Sequence, residues 1–307
     1  MVHPRLHDDE LEVTDALARR LIAAQFSRWS DLPLRRIPSI GTANAIYRLG
    51  DKLAVRLPRR PGTEAQIEHE HRWLSWLAPQ LPLPIPETLE VGAPTDDYPS
   101  AWTIARWLDG SDAYSTPFAD PVRAAEQLAA FIRALHAIDP TDGPPSGSHN
   151  SMRGAPLAER DERTRARIVE VDDIAPNFDA SRLTAIWAAA VSAAPWSEPP
   201  RWLHGDLLPA KLLVRDGQLA GVLDFGCLAV GDPACDLQPA WSVFTGPTRD
   251  AAREAFRAAV GLDDAAWQRG RGWSLWQAIA AYPYYRDTNP ALAGIAAHTI
   301  AELVASE

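Results

Sequence analysis

Apolar positions recur along this chain with two different periods, and the change from one to the other divides it. Over residues 14–29 the spacing is helical, with Leu17, Leu21, Ile22, Phe26 and Trp29 on one stripe and Thr14 placed to cap the start. From residue 37 to 57 the period falls toward two. Residues 45–49 and 53–57 flank Gly50-Asp51, which predicts three short antiparallel strands with a tight turn. After Pro61-Gly62, the capping-box pair Thr63 and Gln66 precedes Ile67, Glu70, Leu74 and Leu77, predicting a helix that stops at Pro79. Prolines at 82, 84 and 86 favour an extended link, and residues 88–91 and 102–108 read as two further strands ended by Asp109-Gly110.

Beyond that point the helical period dominates. Asp120-Pro121 supplies a cap and a first-turn proline before Val122, Ala125, Leu128, Ile132 and Leu135. Residues 139–154 are rich in Pro, Gly and Ser and read as a surface loop, followed by helical stretches to about residue 194. One hairpin interrupts this half. Its strands, residues 212–214 and 219–223, turn at Asp216-Gly217 and are bracketed by His204-Gly205-Asp206 and Asp224-Phe225-Gly226. The pattern predicts an α+β fold, with a small antiparallel sheet and helix in residues 1–108 and a larger, mostly helical part in residues 109–307.

Composition narrows the partners. The 307 residues carry 30 Lys plus Arg against 40 Asp plus Glu, a formal charge of -10, which argues against binding to a nucleic-acid backbone. The longest uncharged stretch, residues 183–197, is shorter than the roughly 20 residues a membrane span needs, so no membrane association is expected. The first residues lack the apolar core of a secretory signal, and Cys227 and Cys235 alone cannot build a disulfide framework. A cytoplasmic location is expected. Lysine occurs only at positions 52 and 211, so the place of each matters.

The chemistry concentrates at the hairpin. Asp206 and Asp224 would stand at the mouth of its two strands, where a base and a metal ligand could face one phosphate. His-Gly-Asp at 204–206 and Asp-Phe-Gly at 224–226 resemble the catalytic and metal-binding motifs of the kinase-like fold. With Gly231-Asp232-Pro233 and Asp236-Leu237 following, the run looks specifically like the aminoglycoside phosphotransferase family. That resemblance implies a two-lobed fold whose first lobe binds nucleotide, and transfer of the terminal phosphoryl group of ATP or GTP to a hydroxyl of a small molecule such as an aminoglycoside or macrolide.

Carried over position by position, Asp206 is the base that takes the acceptor's proton and Asp224 the magnesium ligand. Arg56, oriented by Glu70, would contact phosphate, as would Thr42 and Asn44 in a thin loop that has Gly41 alone. Arg106, Trp107 and Leu108 would form the hinge beside the nucleotide. His204, Asp232 and Asp236 read as structural supports, Asp236 as a brace of the catalytic loop. The five residues between Gly226 and Asp232 are too few for a peptide-binding activation segment, which points to a small acceptor.

The largest departure is Lys211, which occupies the position where the family has a metal-binding Asn. An ammonium has only donors and repels cations, so it cannot ligate magnesium while charged. Its expected partner is Asp206 or Asp224. An alternative reading is therefore a pseudokinase-like protein that binds nucleotide or a small ligand with impaired catalysis. A metal-dependent phosphoesterase using His204, Asp206 and Asp224 is a third.

Overall fold

The computed structural model describes residues 10–62 and 64–306, within which the chain forms two compact units. Thr63 of the expected capping box lies outside the described residues.

The first unit comprises the chain through Pro79, Pro84–Asp109 and Gly221–Gly226. It opens with α1 (Asp15–Gln25), capped by Thr14, whose Oγ1 accepts a hydrogen bond from Leu17 N at 3.1 Å. The helix ends four residues before the apolar stripe does. At Phe26 the backbone leaves the helical region (φ -135), its ring meets Trp102 edge-on at 5.3 Å, and Ser27–Trp29 follow as a single 3-10 turn. Tertiary packing of one aromatic thus overrides local periodicity.

Five strands then form one antiparallel sheet: β1 (Leu34–Ile37), β2 (Asn44–Leu49), β3 (Leu53–Pro58), β4 (Thr88–Gly92) and β5 (Trp102–Arg106), in the order β1-β2-β3-β5-β4. Register puts Tyr47, Val55 and Ile104 in one row, and all three are buried in the core that α1 covers. Because side chains alternate along a strand, Arg56 points to the other face. There α2 (Glu64–Leu77), inserted between β3 and β4, carries the buried Glu70 along with Ile67, Leu74 and Leu77.

The second unit comprises Gln80–Leu83, Gly110–Ala220 and the chain from Cys227 on. The chain returns to the first unit at Gly221–Gly226, after the second has begun. The unit's elements are β6 (Ser111–Asp112), α3 (Pro121–Ala137), α4 (Asp161–Ile174), α5 (Ala180–Ser192), β7 (Arg201–Leu203), β8 (Leu212–Arg215), the start of β9 (Gln218–Val222), β10 (Ala229–Gly231), α6 (Pro239–Ser242), α7 (Arg249–Val260), α8 (Asp264–Tyr285) and α9 (Pro290–Ala305). Asp120 caps α3 through Arg123 N at 3.1 Å. Helix α3 packs on α7, and α8 packs on α5 and α9.

Two small sheets interrupt the helices, β10-β7 and β6-β8-β9. Asp216 and Gly217 both have positive φ (54 and 74), the conformation that a two-residue hairpin turn demands. The 139–154 segment is more than a surface loop. Asn150 within it is fully buried, and Pro145 bridges to Val230 of β10. Among the described residues no helix is long and apolar enough to cross a membrane.

Candidate active site

Strand β7 delivers the chain into His204-Gly205-Asp206. Gly205 has φ +79, and a Cβ there would stand 2.9 Å from the carbonyl oxygen of Cys227, so both conformation and space require glycine. The loop is clamped by Asp236, a fully buried carboxylate that accepts hydrogen bonds from His204 N (3.0 Å) and Gly205 N (2.7 Å). His136 Nε2 on α3 lies 3.3 Å from the same carboxylate. His204 Nδ1 in turn accepts from Asp206 N at 3.2 Å, which ties the ring to the loop backbone.

Asp206, 12% exposed at its side chain, is held from three directions. Lys211 Nζ, five residues on at the end of the 3-10 turn Pro209–Lys211, forms an ion pair with Oδ2. Gln277 of α8 donates to Oδ1, and Arg153 Nη2 from the 139–154 segment approaches the same oxygen at 3.5 Å. Lys211 is itself only 17% exposed, so this is a largely desolvated ion pair.

A second cluster lies within the first unit. Arg56 pairs with Glu70, one guanidinium nitrogen at 3.4 Å from Oε1 and the other closer to Oε2. Gln66 Nε2 donates to Glu70 Oε1 at 3.2 Å. Burial alone would pull the Arg56 pKa down, but the carboxylates of Glu70 and then Asp224 outweigh it and hold the group above its ordinary value. Asp224 sits in the left-handed region (φ 62), a conformation Asp tolerates better than most residues. At Gly226 an added Cβ would meet Gln66 Nε2 at 2.1 Å and Asp224 Oδ1 at 3.4 Å. Asp224, Arg56, Glu70 and Gln66 therefore converge on one place.

The donor chemistry suits a magnesium ion at one of the two expected positions. Asp224 offers hard carboxylate oxygens beside a guanidinium that can share a bound phosphate. Position 211 offers none, since its ammonium is already committed to Asp206.

The family model described as "Phosphotransferase enzyme family" matches residues 34–273. The chain belongs to that phosphotransferase family. Among curated relatives, an aminoglycoside 3'-phosphotransferase of Escherichia coli is 28% identical over 205 residues, covering 64% of this chain and 72% of its own. A Staphylococcus aureus protein of the same name is 27% identical over 195 residues, covering 59% and 68%. Among solved structures, the GDP complex of aminoglycoside 2'-phosphotransferase-IIIa superposes with a TM-score of 0.70 at 20% identity, covering 95% of this chain and 99% of that one. The macrolide 2'-phosphotransferase MphH of Brachybacterium faecium gives 0.60 at 24% identity, covering 93% and 98%. These likenesses show the kinase-like α+β fold.

The remaining residues singled out in the phosphotransferase's sequence are placed as follows. Thr42 precedes β2 and Asn44 opens it opposite Pro58, with Arg59 N closing back onto Ala43 O at 2.8 Å. Arg106 ends β5, exposed and paired with Glu87 at 2.5 Å. Trp107 N donates to Lys52 O at 2.8 Å, and Leu108 follows, half-buried. Asp232 is gripped by Arg269 of α8, at 2.6 Å from Nε and 3.1 Å from Nη2, and caps Ala234 N at 3.0 Å.

Sequence reasoning missed Gln277, Arg153, Arg269 and His136, and read Gln66 only as a capping-box residue. No motif spacing marks the first four, because each reaches its carboxylate from a part of the chain distant in sequence from it. Gln277 alone carried a signal, since it lies in an aromatic-rich stretch, residues 272–289, that suggests either core or acceptor wall. In the structure that stretch divides. Trp273 is buried in the core, Tyr282 packs edge-on to Phe178 at 5.1 Å, and Trp276 lies half-buried beneath Arg153 and Arg160.

Proposed function

We propose that this phosphotransferase moves the terminal phosphoryl group of ATP or GTP to a hydroxyl of a small molecule, with Asp206 as the catalytic carboxylate. The observation that carries this reading is the clamped loop, in which a fully buried Asp236 fixes the backbone that presents a partly accessible Asp206. The acceptor oxygen bonds to the terminal phosphorus as the bond to the departing diphosphate breaks, and the acceptor's proton passes to Asp206. Arg56, steadied by Glu70, faces the nucleotide phosphates, and Lys211, Arg153 and Gln277 fix the position of Asp206. A magnesium ion held by Asp224 would neutralise phosphate charge. Positioning and preorganised charge supply most of the acceleration.

The names of the relatives support an antibiotic-class acceptor, since aminoglycosides and macrolides are the substrates that those names print. GDP and ADP complexes among the structural neighbours support a purine nucleotide site. We place the protein in the cytoplasm, where cysteine thiols such as those of Cys227 and Cys235 stay reduced.

The test is acceptor-dependent release of nucleoside diphosphate by wild type and Asp206→Asn. The variant is expected to lose about 10²- to 10⁴-fold in turnover while keeping its nucleotide-induced thermal shift. Unchanged turnover would remove Asp206 from the base role.

A further inference from the structure

We propose that Gln277 reads the acceptor, its amide nitrogen held by Asp206 and its amide oxygen receiving a hydroxyl or amine on the carbon next to the hydroxyl that is phosphorylated. The inference rests on the phosphotransferase reading above and narrows the acceptor to vicinal diols and amino alcohols.

Helix α8 gives this side chain a fixed origin. Asp263 caps its start through Ala266 N at 2.7 Å, and Arg269 holds Asp232. Gly270 and Gly272 let the helix lie close to its neighbours, since an added Cβ would meet Leu237 Cβ at 2.7 Å and Ala190 Cβ at 2.6 Å. Leu275, Ala278 and Ile279 are buried around position 277. A side chain projecting from so well-anchored an element is placed more precisely than one on a loop, and from here Gln277 Nε2 donates to Asp206 Oδ1. Helical side chains lean over the preceding turn, so residues 280 and 281 decide whether Gln277 is covered. Both are alanine, and both are partly exposed, as is Gln277 itself.

The partner decides which way round the amide lies. Isolated, a glutamine amide can turn either end toward a neighbour. A carboxylate only accepts, so the NH2 group must face Asp206 and the carbonyl oxygen Oε1 must turn away from it. Among the described residues Oε1 receives no hydrogen bond and, unlike both polar atoms of the Gln238 amide, it is not buried. One acceptor atom of fixed direction thus stands beside the carboxylate that takes the acceptor's proton.

That spacing selects a substrate. The nitrogen and oxygen of an amide share one carbon, so a hydroxyl donating to Asp206 brings the group on its neighbouring carbon within reach of Oε1. A diol or amino alcohol with adjacent donors satisfies both acceptors at once. An isolated hydroxyl leaves Oε1 facing a group that cannot donate, and a desolvated carbonyl without a donor weakens binding. Because the amide is neutral, either a hydroxyl or an ammonium can be the second donor, and position 277 does not select on the acceptor's overall charge. Methionine there would fill the space with no donor for Asp206 and no acceptor for the substrate, and glutamate would set a second negative charge against Asp206.

The experiment uses the full-length protein with ATP or GTP and magnesium, and kanamycin, erythromycin and glucose as lead probes. For each compound accepted, the phosphorylated hydroxyl is located by NMR and an analogue is prepared in which the donor on the adjacent carbon is replaced by hydrogen. In wild type, kcat/KM for the analogue is expected to fall about tenfold, the scale of one hydrogen bond. In Gln277→Met, kcat/KM for the parent compound should fall and the ratio between parent and analogue should collapse toward one. A role confined to holding Asp206 would lower both rates and leave that ratio as it was.

A wild-type ratio of no more than about twofold overturns the proposal, and this arm stands even if the variant fails to fold. A ratio that Gln277→Met leaves unchanged overturns it as well. Rejection of every probe by a protein whose melting point still rises with nucleotide also overturns it and leaves the parent reading standing. Absence of both nucleotide binding and diphosphate release overturns the parent reading together with this one.

Discussion

At the scale of single residues the loop that presents Asp206 depends on one fully buried carboxylate. Asp236→Ala would leave the amides of His204 and Gly205 buried without acceptors, so the variant should lose about 3 kcal/mol of stability, read from urea denaturation midpoints. A loss under about 0.5 kcal/mol, within the range of ordinary surface substitutions, would mean that the loop finds other partners. Lys211 is the second residue on which the loop turns. Lys211→Asn removes the ammonium from Asp206 and leaves Arg153 and Gln277 to hold it, so both stability and turnover should fall. Increased turnover would show instead that the native lysine restrains the reaction.

At the scale of elements, α9 carries a titrating group that couples stability to pH. His298 is partly buried, and burial lowers its pKa below the usual 6.5 despite Glu302, which pulls it up. The folded protein therefore keeps this ring neutral where the unfolded chain protonates it. Stability from this source is present above about pH 6.5 and is lost as pH falls through the lowered value. His298→Gln should lose less stability than wild type between pH 7.5 and pH 5.5, measured by denaturation at the two values; equal losses would remove His298 as the cause. Other elements show why some of the structure could be read in advance. Caps and tight turns act over a few residues, so Thr14, Asp120 and the Asp216-Gly217 turn announce themselves. Strands β6 and β10, two and three residues long, are too short to display alternation and exist because other strands pair with them. The candidate site divides the same way. Its carboxylates sit in motifs, whereas Arg153, Gln277 and Arg269 arrive from distant segments that only the fold brings near.

At the scale of the whole molecule, the nucleotide reading predicts a ligand-dependent rise in melting temperature. At about 100 times its dissociation constant, ATP or GTP with magnesium should add roughly 2.7 kcal/mol of stability. The nucleotide that gives the larger shift is the one to carry into acceptor assays, and no shift with either would count against a nucleotide site. The way the two units share the chain has a consequence of its own for synthesis. Gly221–Gly226, which carries Asp224 and whose Val222 N bonds to Pro84 O at 3.0 Å, belongs to the unit that begins the chain. The ribosome must deliver the chain through Gly226 before that unit has all its parts. A fragment ending at Asp109 would emerge without the aspartate its own Arg56 faces, and neither unit can be excised as one uninterrupted piece of the gene.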